Sequence, residues 1–468
     1  DPGASAVLTS PLSLEEESDT NYRAPNLLQR VVSLLKNVRP GSDLTRFQAK
    51  NKHLTIPSIS KYRRRSQYPL PPLFNIPKSQ LQCYGESVYC TGQDMLSRCA
   101  NGTSSVDRFT SVVAWSISTL RPLTFGVAPY NPILGETHHA SRGALNVLVE
   151  QVSHHPPVSA LHATNEEDNI ETTWCHYAVP KFYGTSIETV VHGQKQLKLL
   201  TKDETYVINS PKLVIRFFPI PSVDWLGNVT IRCEESGLEA ELCYKGSSFL
   251  GRRANYRSIR GKITSLSSSK PIYEISGHWD RTVTVKDTTN GKLTVIYNAK
   301  EVLSGLKTPT VKDSQGIWPS ESAVVWGEVS RGILSKWWDK AREAKKAIGE
   351  KERKFCQRER VKRRNLEYLT ARKLDGSAHQ TRSGCHLRQL LSLYNLTLVY
   401  HPSKNLSAGL LAGEHHAGLE PFGLANKRVR TDLASNRALL ALLVSFLAIE
   451  AKSIGETSAR KAEYGSRK

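Results

Sequence analysis

Glu150, Gln151, Val152, Ser153, His154, His155, Pro156 and Pro157 put two adjacent imidazoles and two prolines into one short run. The preceding Leu145–Val149 reads as a strand, and successive strand residues face opposite sides, so His154 and His155 diverge unless the chain bends. Pro156 and Pro157 supply a bend: proline gives no N–H to a ladder, and Pro156 pushes His155 toward extended geometry. The pair is therefore placed at the end of a strand, on a rigid polar rim. Imidazoles with an ordinary pKa of roughly 6.5 can together donate up to about four N–H bonds to a phosphate, whose charge favours their protonation. This reading makes the run an anion clamp; the plainer alternative is a pair of satisfied rim residues in a tight turn.

Two further histidine pairs, His138-His139 and His415-His416, raise the possibility of a metal centre. The spacing opposes it, because neighbouring imidazoles seldom chelate one ion and no HExxH or Cys/His ladder accompanies them. No metal and no cofactor are expected. Glu136 and Glu150 are available as acid and base, but no nucleophile, phosphate loop or cofactor fingerprint stands with them, so a binding module is favoured over an enzyme. A metal-dependent hydrolase on the histidine pairs is the weaker alternative.

The octapeptide resembles the fingerprint of the oxysterol-binding protein-related family. Tyr130-Asn-Pro-Ile-Leu-Gly-Glu136 is similar to that family's Asn-Pro-x-Leu-Gly-Glu block, and Trp326-Gly-Glu-Val329 to a later motif. Arg121-Pro-Leu-Thr-Phe-Gly-Val-Ala-Pro-Tyr130 most resembles plant members consisting of the lipid-binding domain alone. The resemblance implies a mainly β (α+β) fold: a large closed antiparallel β-barrel with a lipid tunnel, an N-terminal helical lid and C-terminal helices. It implies a carrier of sterol and/or phosphoinositide that does no covalent chemistry. It also implies a head-group set of His154, His155, Asn131, Lys345 and Arg353. At two places the chain departs from the family pattern: Ala128 stands where a lysine is usual, and Gly349 where a glutamate sits between Lys345 and Arg353.

The elements that must position these residues are partly legible. Residues 1–21 are small, acidic and polar and read as a disordered tail. Leu27, Leu28, Val31, Val32 and Leu35 then recur at helical spacing until Pro40-Gly41 stops the run. By resemblance this helix is the lid; by periodicity alone it can equally be docked permanently on a core. The segment Ala49–Pro69 interrupts the family pattern as an atypical insertion; it reads as an unspliced or mispredicted segment that persists as a solvated loop, with a basic membrane-contact loop as the alternative. From Asp107 to about Asn298, β-rich stretches alternate with turn signals such as Gly227-Asn228, Ser236-Gly237 and Asn290-Gly291. Hairpin spacing without βαβ alternation predicts an antiparallel sheet large enough to close on itself.

Trp337 to about Arg364 reads as one charged helix. The stretch 365–468 has no counterpart in the family and reads as disordered chain or the product of a wrong gene model, leaving 22–364 as the lipid-binding domain. The formal net charge is +21, and from Arg342 onward Lys and Arg outnumber Asp and Glu by 25 to 12. Such charge suits an anionic membrane surface, engaged transiently, or nucleic acid; a basic nucleic-acid-binding protein is the alternative that charge alone allows. Eight cysteines lack any C-x-x-C spacing, and the longest apolar run, Ala438–Ile449, falls short of the roughly 20 residues a spanning helix needs. The expectation is a monomeric cytoplasmic protein, peripheral on membranes such as the endoplasmic reticulum, with a sterol or phospholipid ligand and no nucleic acid.

Overall fold

The computed structural model describes residues 11, 35, 38–44, 70–91, 94–154, 156–218, 220–246, 256–268, 270–303 and 317–373, with side chains as far as 355. His155, the lid residues Leu27, Leu28, Val31 and Val32, the insertion Ala49–Pro69 and almost all of the tail 1–21 lie outside the described residues, as does 374–468. The chain divides into two compact units, Asp1–Ile348 with Asn436–Lys468, and Gly349–Ser435. The first carries the fold described below; of the second, the described part is helix.

A short parallel pair, β1 (Asn75–Ser79) and β2 (Ala128–Tyr130), brackets three helices: α1 (Gln80–Tyr89), α2 (Asp94–Asn101) and α3 (Ser105–Ser118). Ser79 and Gln82 form a capping box that starts α1, and Ser104 with Asp107 does the same for α3. That box corrects the sequence reading, which began its β-rich region at Asp107. Thr110, Val112 and Val113 suit a strand, but the reciprocal Ser104–Asp107 bonds satisfy the first orphan N–H groups, and Phe109, Val112, Val113 and Trp115 are wholly buried on the resulting helix.

Fourteen strands follow in one antiparallel sheet: β3 (Thr137–Arg142), β4 (Leu145–His154), β5 (Pro157–Asn165), β6 (Ile170–Phe182), β7 (Ser186–His192), β8 (Lys195–Leu199), β9 (Glu204–Ile208), β10 (Lys212–Arg216), β11 (Ser222–Cys233), β12 (Leu238–Lys245), β13 (Ser258–Ser265), β14 (Pro271–His278), β15 (Thr282–Asp287) and β16 (Leu293–Asn298). The long β6 and β11 are joined by two separate inserts, β7–β10 at one end and β8–β9 at the other. Gly227, expected in a turn, lies inside β11 at the point where that strand passes from β10 to β12 and β9. The strand ends β3 and β16 both meet the helical layer, α1 on β3, β4 and β5 and α3 on β16 and β12, so the sheet curls into a barrel-like shell around that layer.

Alternation does the packing. In β4, Leu145, Val147 and Val149 are buried while Asn146 is exposed, and they join α1–α3 in one large core. After β16 come α4 (Ala299–Leu303), α5 (Ser322–Val325), α6 (Gly327–Leu334) and α7 (Trp338–Lys373). The last helix was expected to stop near Arg364 and instead runs on to Lys373. Tyr130, Trp326, Val329, Ile333 and Ala341 form a second small core that ties β2 to α6 and α7. Leu35 is helical and 7% exposed, packed with Phe182 and Phe217 in a third.

Candidate functional site

His154 ends β4 and Pro157 begins β5 directly opposite it, so the histidine sits at a strand end as its sequence demanded. The register slips between Gln151 and Ser153, a bulge at Val152 that re-aims the last residues of the strand. Around that bulge the polar side chains are spent on structure. Gln151 accepts from Ser159 Oγ at 2.6 Å and donates to the Ser153 carbonyl at 2.9 Å, and Ser153 Oγ donates to the Pro156 carbonyl at 2.8 Å. Glu150 is half-buried, and burial raises its carboxyl above the ordinary range.

The hairpin is bound to the Asn-Pro-Ile-Leu-Gly-Glu block by three contacts. His154 Nδ1 donates to the Pro132 carbonyl at 3.0 Å, Gly135 N donates to the Gln151 carbonyl, and Gln151 N donates to the Glu136 carbonyl, both at 2.9 Å. Because a carbonyl can only accept, the proton on His154 is fixed at Nδ1 and its ring is oriented. Gly135 takes φ +75°, with open space where a Cβ would lie, so the requirement for glycine is conformational.

Glu136 is the hub of the block. It is 1% exposed and accepts from the Ile133 N–H at 3.0 Å, Ser322 Oγ at 2.7 Å, Trp326 Nε1 at 2.9 Å and Ser79 Oγ. Burial pushes its carboxyl up while these donors pull it down. The carboxylate thus joins the β1 end, α5 and the start of α6 to the fingerprint. His138 lies on the other side of the same strand from His139. Its Nδ1 donates to Glu321 at 2.7 Å, its Nε2 accepts from Tyr89 at 3.0 Å, and α1 packs so close that a Cβ on Gly85 would fall 2.8 Å from the ring. Facing opposite sides of β3, the two imidazoles cannot share an ion.

Lys345 belongs to the same neighbourhood. Its Nζ donates to the Leu70 carbonyl at 2.6 Å and to Asn75 Oδ1 at 2.5 Å, and lies 5.9 Å from the Tyr130 ring centroid. Asn75 Nδ2 in turn donates to the Ala128 carbonyl at 3.0 Å. Burial drags the ammonium down to about 7. The consecutive residues Tyr130, Asn131 and Pro132 therefore run from the Lys345 side to the His154 contact, with Asn131 exposed between them. Of the residues named from sequence, the fold brings His154, Asn131 and Lys345 to one place. Leu35 sits elsewhere, against Phe182 and Phe217, and Arg353 belongs to the second unit. Ser79, Asn75, Ser322 and Glu321 were not foreseen; a spacing rule cannot find partners whose only signal is contact across the fold.

Comparisons with known proteins bear on the same region. A family described as Oxysterol-binding protein matches residues 65–330. The chain is 51% identical over 350 residues to Oxysterol-binding protein-related protein 4B of Arabidopsis thaliana, covering 74% of this chain and 86% of that one. It is 50% identical to protein 4C of the same organism over 76% and 89% of the respective chains. Among solved structures, the Osh1 ORD domain in complex with cholesterol superposes with a TM-score of 0.58 at 21% identity, covering 80% of this chain and 86% of that one. The Osh3 ORD in complex with PI(4)P from Saccharomyces cerevisiae gives 0.53 at 20%, covering 76% and 89%. At these identities the two structures bear on the fold.

Proposed function

The chain belongs to the oxysterol-binding protein family, and on that premise we propose that it binds a sterol or a phosphoinositide inside the curled sheet and transfers it between membranes without covalent chemistry. The observation that carries this reading is the junction of the fingerprint hairpin with the Asn-Pro-Ile-Leu-Gly-Glu block, where His154 and Gln151 are bonded to Pro132, Gly135 and Glu136 at the same end of the sheet as β2 and Lys345. A sterol-sized ligand presents on the order of several hundred Å² of apolar surface, and at about 25 cal/mol per Å² its burial in a dry interior competes with the bilayer.

We assign the head-group role to His154, His155, Asn131 and Lys345; Arg353 enters on the resemblance alone. Residues 22–364 are the lipid-binding domain in this reading, with the helix of Leu27, Leu28, Val31, Val32 and Leu35 as its lid. The protein works in the cytoplasm as a monomer, peripherally on anionic membranes such as the endoplasmic reticulum. No helix among the described residues is long and apolar enough to cross a membrane. Native mass spectrometry of the full chain purified from cells tests the reading directly: a co-purified sterol or phosphoinositide is expected, and a chain that carries no lipid and extracts none from vesicles would end it.

Two measurements refine the ligand. Burial drags the Lys345 ammonium down to about 7, so binding of a phosphate, which favours the charged form, draws a proton onto Lys345 near that pH. Phosphoinositide affinity is therefore expected to fall as pH rises above about 7, by up to tenfold per pH unit, and the slope to become shallower in Lys345→Ala, which keeps only the histidines' contribution. An unchanged slope in the variant would remove Lys345 from the site. Ala128 is exposed, and its carbonyl accepts from the same Asn75 that accepts from Lys345. Ala128→Lys is expected to tighten phosphoinositide binding by about 1 kcal/mol, roughly fivefold, in a vesicle titration.

A further inference from the structure

Phe218 and Ile220 are 65% and 62% exposed, and Tyr183 is 49% exposed. The backbone segments that carry them lie together. Arg216 at the end of β10 pairs with Ser186 at the start of β7, Phe217 N donates to the Thr185 carbonyl at 2.8 Å, and Tyr183 N donates to the Ser186 carbonyl at 2.8 Å. The turn after β6 and the loop before β11 thus form one corner.

Its position follows from the register. His154 and Pro157 close the fingerprint hairpin, Val158 pairs with Tyr177, and β6 runs on from Tyr177 to Phe182 before the Tyr183 turn. The corner therefore stands at the fingerprint end of the sheet and projects beyond the hairpin. The chain segment after the lid helix arrives at the same corner, where Gly41 N donates to the Phe182 carbonyl at 2.6 Å and Phe182 N donates to the Ser42 carbonyl at 3.0 Å.

Such exposure is costly for a loop with no partner in water, and in the sequence Phe217-Phe218-Pro219-Ile220-Pro221 the two prolines restrict the backbone freedom that could tuck Phe218 and Ile220 away. Two prolines also leave few N–H groups for pairing with a strand of another protein. Arg39 and Lys181 are exposed on the same corner and Arg216 ends β10, with Asp43, whose backbone bridges to Lys181, as an acidic neighbour. Apolar tips flanked by cations suit the boundary between anionic headgroups and acyl chains.

We infer that Tyr183, Phe218 and Ile220 form a wedge that inserts into the interfacial layer of an anionic bilayer and seats the fingerprint end of the sheet against it. The inference rests on the lipid-carrier reading, and its test separates the two. The full chain and Phe218→Asp/Ile220→Asp are compared by flotation with phosphatidylcholine–phosphatidylserine vesicles, and by uptake of dehydroergosterol delivered from cyclodextrin without any membrane.

The variant is expected to lose about tenfold or more in vesicle binding while taking up the sterol as the parent chain does. Failure of the parent chain to take up sterol would count against the carrier reading, leaving the vesicle arm to judge the wedge. Equal flotation of variant and parent would overturn the wedge, as would equal flotation with conversion of a dimer to a monomer, which would give the patch to a second copy. If the double variant fails to fold, Phe218→Trp decides: a blue-shifted emission quenched by brominated lipid supports insertion, and an unchanged spectrum overturns it.

Discussion

Glu136→Ala is expected to lower the stability of the folded chain by about 3–5 kcal/mol, enough to unfold a marginal domain near body temperature. The carboxylate is 1% exposed and holds Ile133 N, Ser322 Oγ, Trp326 Nε1 and Ser79 Oγ. Removing it strands these donors where water cannot reach, at roughly 1–3 kcal/mol for each buried group left unpaired, with partial relaxation. Glu136→Gln keeps the volume and one acceptor oxygen, and is expected to cost about half as much, because its amide must face donors. Urea unfolding followed by tryptophan fluorescence measures both. A loss below about 0.5 kcal/mol for the alanine variant would show that these bonds do not hold α5 and α6 to the sheet.

His154→Ala/His155→Ala is expected to reduce extraction of phosphoinositide from vesicles by at least about tenfold, the scale of one or two charge-assisted hydrogen bonds. His154 is half-buried and bonded to the Pro132 carbonyl, whereas Glu136 is 1% exposed and holds four donors, so the urea midpoint should move far less than it does for Glu136→Ala. Sterol uptake from cyclodextrin should persist, because an apolar cargo is held by burial and not by the imidazoles. Phosphoinositide extraction equal to that of the parent chain would take the pair out of the head-group role.

The contrast between these two variants follows from where each residue's partners lie in the chain. Pro156 and Pro157 are enough, as sequence, to place the histidines at a strand end, because proline's missing N–H acts locally. Strand and turn positions were equally legible: β4 starts at Leu145, and the turns Ser236-Gly237 and Asn290-Gly291 separate β11 from β12 and β15 from β16, since side-chain direction in a strand is set by neighbours two residues away. Local signals failed where two readings compete at the same residues. Val112 and Val113 suit a strand, and only the Ser104–Asp107 box makes them helical; Gly227 suits a turn, yet it sits within a strand that changes partners.

The tertiary structure alone decided what the polar residues do. Glu136 reads in sequence as a candidate acid and becomes a structural acceptor, because Ser322 and Trp326 reach it from 186 and 190 residues away. His138 has no assigned role in the sequence and is locked by the fold between Tyr89 and Glu321. Lys345 lies in sequence on a densely charged helix, and only the fold buries it against Leu70, Asn75 and Tyr130, which pulls its ammonium down to about 7. Periodicity and turn chemistry are written into neighbouring residues, so the chain by itself determined strands, turns and the placement of its fingerprint. Desolvation and hydrogen-bond partners depend on segments that meet only when the sheet curls, and no spacing along the chain encodes them.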